Sequence, residues 1–271
     1  MAGHVTGDRR HEPGHDRRCG GGDGRLPELL GLQESLVGRD PLHGAIHFGP
    51  SIDGELVKGP LVGRVRAGHA QGIDLLIGSN RDEIRFFAQF DPDVLRMTQR
   101  DYDAWFPRQL AGRRAELVRA YEEQRPGESE SDITPAMLTD QVMRVPATRL
   151  AEAQGRWART YVYQFDWAPE GGLGAVHTAE LPFVFGTLSF TGIPGGAEAF
   201  RADPAPIRHL ARLMGRSWTS FARDGHPGWP RYRWGRATRS WDTPPTLAFA
   251  PRERERAAWA GFDFPALELG G

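Results

Sequence analysis

The stretch that decides the fold is Gly72-Ile73-Asp74-Leu75-Leu76-Ile77-Gly78, followed by Ser79-Asn80-Arg81-Asp82-Glu83. A short apolar run closed at both ends by glycine suits a strand over 73–77 buried on both faces, as parallel sheets require. The polar residues after it then stand at the carboxyl end of such a strand, where ligands and catalytic groups gather in open α/β sheets. Glu83 is therefore a candidate functional acid, against the plainer reading of a solvated carboxylate at the start of a helix. Phe86, Phe87 and Phe90 beside it are candidates to line a cavity, although core packing is the commoner fate of such rings.

Downstream, the spacing of Leu110, Leu117 and Tyr121 predicts a helix over 107–123. A second helix is expected from Thr134 as cap with Pro135 at its first position, kinked or divided at Pro146. Thr160 to Phe165 carries the aromatic and β-branched content of a strand. Ile207, Leu210, Leu213, Met214, Trp218 and Phe221 repeat at intervals of three and four, predicting a helix stopped by Gly225. Thr246–Phe249 reads as a last short strand and 252–259 as a charged helix. Strands separated by helices favour an α/β layer. Residues 1–25 hold seven glycines, five arginines and four acids around only Met1, Ala2, Val5 and Cys19. Such a segment cannot offset its ordering entropy, so 1–25 is expected to be a disordered tail and 26–271 the folded domain.

Composition removes several classes of function. With Lys+Arg 34 against Asp+Glu 35 the formal charge is -1, which recruits neither nucleic acid nor anionic lipid. Arginines at 212, 216, 231, 233, 236 and 239 interleave with Trp229, Tyr232 and Trp234, a pattern that can stack on bases; dispersed acids make it a solvated face instead. One cysteine in 271 residues forms no intrachain disulfide and no cysteine metal cage, and no apolar run is long enough for an export signal or a membrane span. A cytoplasmic protein is expected, with no metal: His4, His11 and His15 lack ligand spacing, and His177-x-x-Glu180 alone is no metal site. Dinucleotide, P-loop and zincin motifs are missing as well.

His177 follows the glycine-rich turn 171–174. An imidazole can take a proton from a hydroxyl and return it to a leaving group, provided a carboxylate fixes its tautomer. Glu83 lies far upstream, so only folding can make that pair, and an exposed or structural histidine is the default reading.

Four blocks in order change these weights: residues 49–60 (GPSIDGELVKGP) with 73–87 (IDLLIGSNRDEIRFF), 140–154 (DQVMRVPATRLAEAQ), 161–167 (YVYQFDW) with 173–188 (LGAVHTAELPFVFGTL), and 217–232 (SWTSFARDGHPGWPRY). Together they resemble the C-terminal portion of a type-B carboxylesterase, of the carboxylesterase and cholinesterase family in the α/β-hydrolase superfamily, from about Gly49 to Tyr232. The resemblance implies that Glu83 and His177 are the acid and base of a Ser-Glu-His triad, that Glu180 supports them, and that Phe86, Phe87, Phe183 and Phe185 are candidates to shape a pocket. It implies carboxylic-ester hydrolysis with no cofactor. The family's G-x-S-x-G turn occurs nowhere here; none of the nine serines has glycines at both required positions, and Ser51 has its second glycine displaced to Gly54. The expectation is thus an incomplete α/β-hydrolase fold, a mostly parallel sheet with flanking helices, in a chain lacking the nucleophile and the oxyanion segment. Such a chain is inactive unless complemented by a missing N-terminal half, a small-molecule carboxylic ester being its substrate once complemented. The competing expectation is a non-catalytic or split-product hydrolase fragment, acting as a binding or interaction protein, with a complementary N-terminal fragment or self-association as partner.

Overall fold

A computed structural model describes residues 52–89, 92–96, 98, 100 and 113–262. In chain order its elements are α1 (Leu61–Arg66), β1 (Leu75–Asn80), a 3₁₀ turn (Glu83–Gln89), a second 3₁₀ turn (Pro92–Arg96), α2 (Arg114–Gln124), α3 (Glu130–Thr139), a π turn (Asp140–Arg144), α4 (Val145–Gln154), β2 (Thr160–Phe165), α5 (Leu181–Val184), α6 (Gly196–Ala202), α7 (Pro204–Asp224), β3 (Ala237–Trp241), β4 (Thr246–Phe249) and α8 (Glu253–Ala258). The sheet order is β1-β2-β3-β4. β1 pairs with β2 and β2 with β3 in parallel, while β3 and β4 form an antiparallel pair.

Alternation along the parallel strands decides which helix covers which face. Tyr161 and Phe165 join Ile207, Leu210 and Met214 of α7 in the main core, with Leu76 packed against them. Val162 points the other way, to Ala151 of α4 and Tyr232, with Ile77 beside it. A third cluster lies among the helices, where Leu117, Tyr121, Met137 and Trp259 are fully buried. Each large apolar side chain so buried contributes about 1.5–3 kcal/mol.

Several sequence expectations shift here. β1 begins at Leu75, leaving Ile73 63% exposed, and its residues 75–78 are only partly buried because β1 stands at an edge of the described sheet. The second predicted helix starts earlier, at Glu130, because Ser129 and Asp132 form a capping box; Pro135 consequently sits inside it. Pro146 does divide the segment, as the second residue of α4 after a π turn. Phe183 and Val184 belong to the short helix α5. α7 agrees with its reading: Asp203 accepts from the Ala205 N–H at 3.3 Å, and Gly225 at φ 67° closes the helix through its N–H to the Phe221 carbonyl at 2.8 Å. β3 was missed, since its Ala-Thr-Arg-Ser-Trp was read within an arginine-rich surface. Trp241 at its end is 1% exposed, with the Arg239 guanidinium 4.9 Å over its ring. Trp229 and Tyr232 are also buried, which removes them as base-stacking platforms.

The expected mostly parallel, incomplete sheet is corrected in topology to a mixed one, carrying an antiparallel pair and helices on both faces. The 1–25 tail, Ser51, Phe90, His4, His11 and His15 lie outside the described residues. Among those described, no helix is long and apolar enough to cross a membrane, and no cluster of histidine, cysteine and acids is arranged to hold a metal.

Gly78 faces Tyr163 across the β1–β2 register, and a Cβ there would fall within 2.6 Å of the tyrosine ring and closer still to its carbonyl oxygen. Gly78→Ala is therefore expected to destabilise the fold by about 1–3 kcal/mol through overpacking, read as a lowered urea midpoint. An unchanged midpoint would remove this close approach from the account of β1 packing.

Candidate active site

Two segments leave the sheet side by side. Leu75 to Asn80 run level with Thr160 to Phe165, and Arg81 continues the ladder by donating its N–H to the Phe165 carbonyl at 3.0 Å. β1 then gives way to the 3₁₀ turn opened by Glu83, whereas β2 leads into the loop that carries His177 before α5. Asp82 ties the segments together. Its N–H donates to the Ala175 carbonyl at 2.9 Å, and its carboxylate accepts the Ala175 N–H at 2.8 Å. Gly174, at φ 98°, lies so close that a Cβ there would strike the Asp82 carboxylate.

This suture brings His177 Nδ1 to 2.6 Å from Glu83 Oε2. Facing a carboxylate, Nδ1–H donates, so Nε2 is left as the acceptor. Glu83 is buried and its other oxygen accepts the Asn80 backbone N–H at 2.7 Å, while His177 remains 38% exposed by side chain. Among the described residues no hydrogen bond to Nε2 is formed, and that atom is available to a substrate. The Glu83 hydrogen bond raises the His177 pKa above its ordinary 6.5, against the opposing effect of burial.

Asn80, which sequence reading passed over, holds both carboxylates. Besides its backbone contact to Glu83, its side-chain amide donates to Glu180 at 2.6 Å and to the Val176 carbonyl at 2.8 Å. Glu180 is pushed up by burial, partly countered by that amide. Tyr163 is held well above the ordinary phenol value by burial, then by the neighbouring Glu180 and Glu83. The available signal was position: Asn80 is the last residue of a strand that ends at an acid.

The aromatic candidates separate. Phe86 packs edge-on against the His177 imidazole, with centroids 5.9 Å apart, and Phe87 stacks edge-on against Phe86 at 5.7 Å while 36% exposed. Phe183 is fully buried against Phe165, Trp167 and Phe190, so it is part of the core. Phe185 is 73% exposed and lines a groove along α7 with Val184 and Leu188.

Comparison with known proteins shows the family. The pattern of the family described as "Carboxylesterase family" matches residues 26–250. The para-nitrobenzyl esterase of Bacillus subtilis (strain 168) is 34% identical over 194 residues, which is 69% of this chain and 37% of that protein. The phenmedipham hydrolase of Pseudarthrobacter oxydans is 28% identical over 171 residues, 59% of this chain and 34% of that one. A solved carboxylesterase of Geobacillus stearothermophilus superposes with a TM-score of 0.66 at 28% identity, covering 87% of this chain and 53% of the other. A thermophilic para-nitrobenzyl esterase gives 0.59 at 30% identity, covering 86% and 52%. The chain thus spans about half the length of these solved structures and roughly a third of the curated relatives.

These matches overturn the reading of a catalytically gutted C-terminal fragment. The resemblance in sequence began at Gly49 because only motif-bearing blocks were legible, yet the family match starts at residue 26 and runs to 250. A carboxylesterase-type α/β-hydrolase domain therefore extends through nearly all of this chain. The expectations of obligate complementation by an N-terminal half, of an interaction protein and of self-association drew on that fragment reading and are not carried forward. The absence of G-x-S-x-G remains a fact of the sequence, but a missing motif does not mark a domain boundary.

Titration of His177 by NMR is expected to give a value above 6.5, falling to 6.5 or below in Glu83→Gln, where burial acts without the carboxylate. The pair's stabilisation is then fully present below the unfolded value of about 6.5 and fades as pH rises through the raised folded one. An identical titration in both proteins would separate Glu83 from His177.

Proposed function

Because the chain belongs to the carboxylesterase family, we propose that it hydrolyses small-molecule carboxylic esters, with His177 as general base and acid and Glu83 as its orienting partner. The observation that carries this reading is the 2.6 Å contact of Nδ1 with Glu83, which leaves Nε2 as a free acceptor at the mouth of the parallel strands. Nε2 removes the proton from the hydroxyl that attacks the ester carbonyl. The resulting imidazolium is stabilised by Glu83 and then protonates the departing alcohol. Asn80 and Glu180 are positioning residues for that pair, Asn80 by bonding both carboxylates.

The attacking hydroxyl in this family is a serine, as the resemblance implies; this sequence holds no G-x-S-x-G to supply it in the usual setting. What is assigned to this chain is therefore the proton transfer, with a side-chain alcohol or a water as the group deprotonated. Such a reaction needs no cofactor. Residues 26–271 are taken as one carboxylesterase-type domain. A cytoplasmic setting belongs to the same reading, supported by a single cysteine in 271 residues.

Hydrolysis of p-nitrophenyl acetate and butyrate by the full chain tests it. His177→Ala is expected to lower kcat/KM by about 10²–10⁴-fold, the usual worth of a positioned acid-base group, and Glu83→Gln to lower it less. Native turnover is expected to rise with pH through the raised His177 value, since the base acts as neutral imidazole. Turnover that is absent in the native chain, or unaffected by His177→Ala, would overturn the proposal.

A further inference from the structure

Beside the Glu83-bearing turn lies a cavity of ≈ 630 Å³. This is within the range of about 300–1,000 Å³ typical of small-molecule sites, and its walls are polar and rich in charge. One wall is the segment Arg81 to Arg85, another is 172–174 before His177, and the rest comes from α2, α3 and the start of α8.

The charges in it do not cancel group by group. Asp82 meets Arg81 at 3.0 Å, Asp132 meets Arg85 at 3.3 Å, Glu128 meets Arg125 at 3.0 Å, and Glu255 meets both Arg125 at 2.9 Å and Arg144 at 3.2 Å. Every acid that lines the cavity therefore has a cationic partner. Arg252 lines it too, is only partly exposed, and among the described residues has no hydrogen-bonded or ion-paired partner for its guanidinium. Arg85 adds a buried Nε without an acceptor. Arg252 also sits in the left-handed region at φ 52°, a strained conformation for a non-glycine residue that recurs at ligand clamps. Burial, followed by the neighbouring Arg144, holds it below the ordinary arginine value, with Asp140 and Glu255 acting in the opposite direction.

We propose that this cavity is a binding site for a small oxyanion-bearing molecule, its carboxylate or phosphate received by Arg252 with the Arg85 guanidinium, which lines the same cavity, as second donor. A planar guanidinium matches both groups through paired N–H bonds, and the polar walls favour a hydrophilic body over an acyl chain. The site is separate from the ester chemistry and its occupancy is read without turnover.

Isothermal titration of the full chain with inorganic phosphate and, separately, succinate, in Tris buffer at constant ionic strength set with sodium chloride, distinguishes the two classes of oxyanion. At least one is expected to bind with a Kd near 1 mM or tighter, a free energy of about -4 kcal/mol. Arg252→Gln is expected to weaken it by about tenfold or more and Arg85→Gln by less, with circular dichroism and thermal midpoints showing both variants folded. Arg216→Gln, on α7, is expected to bind as the native chain does. Absence of binding of both anions below about 10 mM, or equal binding by folded Arg252→Gln and Arg85→Gln, would overturn the proposal.

Discussion

The hydrogen bond between Glu83 and His177 depends on two parallel strands ending level with one another. Asn80 is opposite Phe165, and from that line one chain turns into a 3₁₀ segment while the other enters a loop. A slip of one residue would reverse the faces of β2, sending Tyr161 and Phe165 away from α7 and Val162 into the main core. The apolar packing that fixes the register thus also fixes a polar contact several residues beyond it. Asp82 extends that constraint past the last strand pair by accepting from and donating to Ala175.

The same contact needs a carboxylate kept in a buried place, which is expensive unless its oxygens are hydrogen-bonded. Glu83 meets this by taking the Asn80 N–H on one oxygen and the imidazole on the other. Glu180 is handled differently: the Asn80 amide and its own backbone N–H favour the carboxylate, yet burial outweighs them and its proton affinity rises. Asn80 is the shared device for the two acids near one imidazole, its backbone N–H serving Glu83 and its side chain Glu180. Replacing it would disturb both at once.

What the sequence disclosed followed from periodicity and from local chemistry. α7 was legible from Ile207 onward because its apolar spacing and Gly225 at the end agree. The two site residues were legible as types, while their meeting was not, since it is a consequence of the β1–β2 register over a separation of 94 residues. β3 was hidden for another reason. Its Arg239 covers Trp241 instead of pointing to solvent, so a charged residue does the work of an apolar one and the alternation is obscured. Asn80 and Arg252 were overlooked because an amide and a guanidinium reveal nothing until their partners, or lack of them, can be seen. The reach of the domain was under-read for lack of motifs before Gly49.

The arginines of the helical layer show where that lack of a partner matters. Arg144 is bound to Asp140 and to Glu255, and Tyr121 also donates to Asp140, so the π turn is closed over a network of satisfied charges. Arg125 shares Glu255, and Arg252 feels that carboxylate and Asp140 through space, with no ion pair to either among the described residues. Arg252 is the lining cation left without an ion-pair partner among the described residues, next to the turn that carries Glu83 and the loop that carries His177. An anion held there would lie beside both supports of the pair, because Arg85 and residues 172–174 line the same cavity.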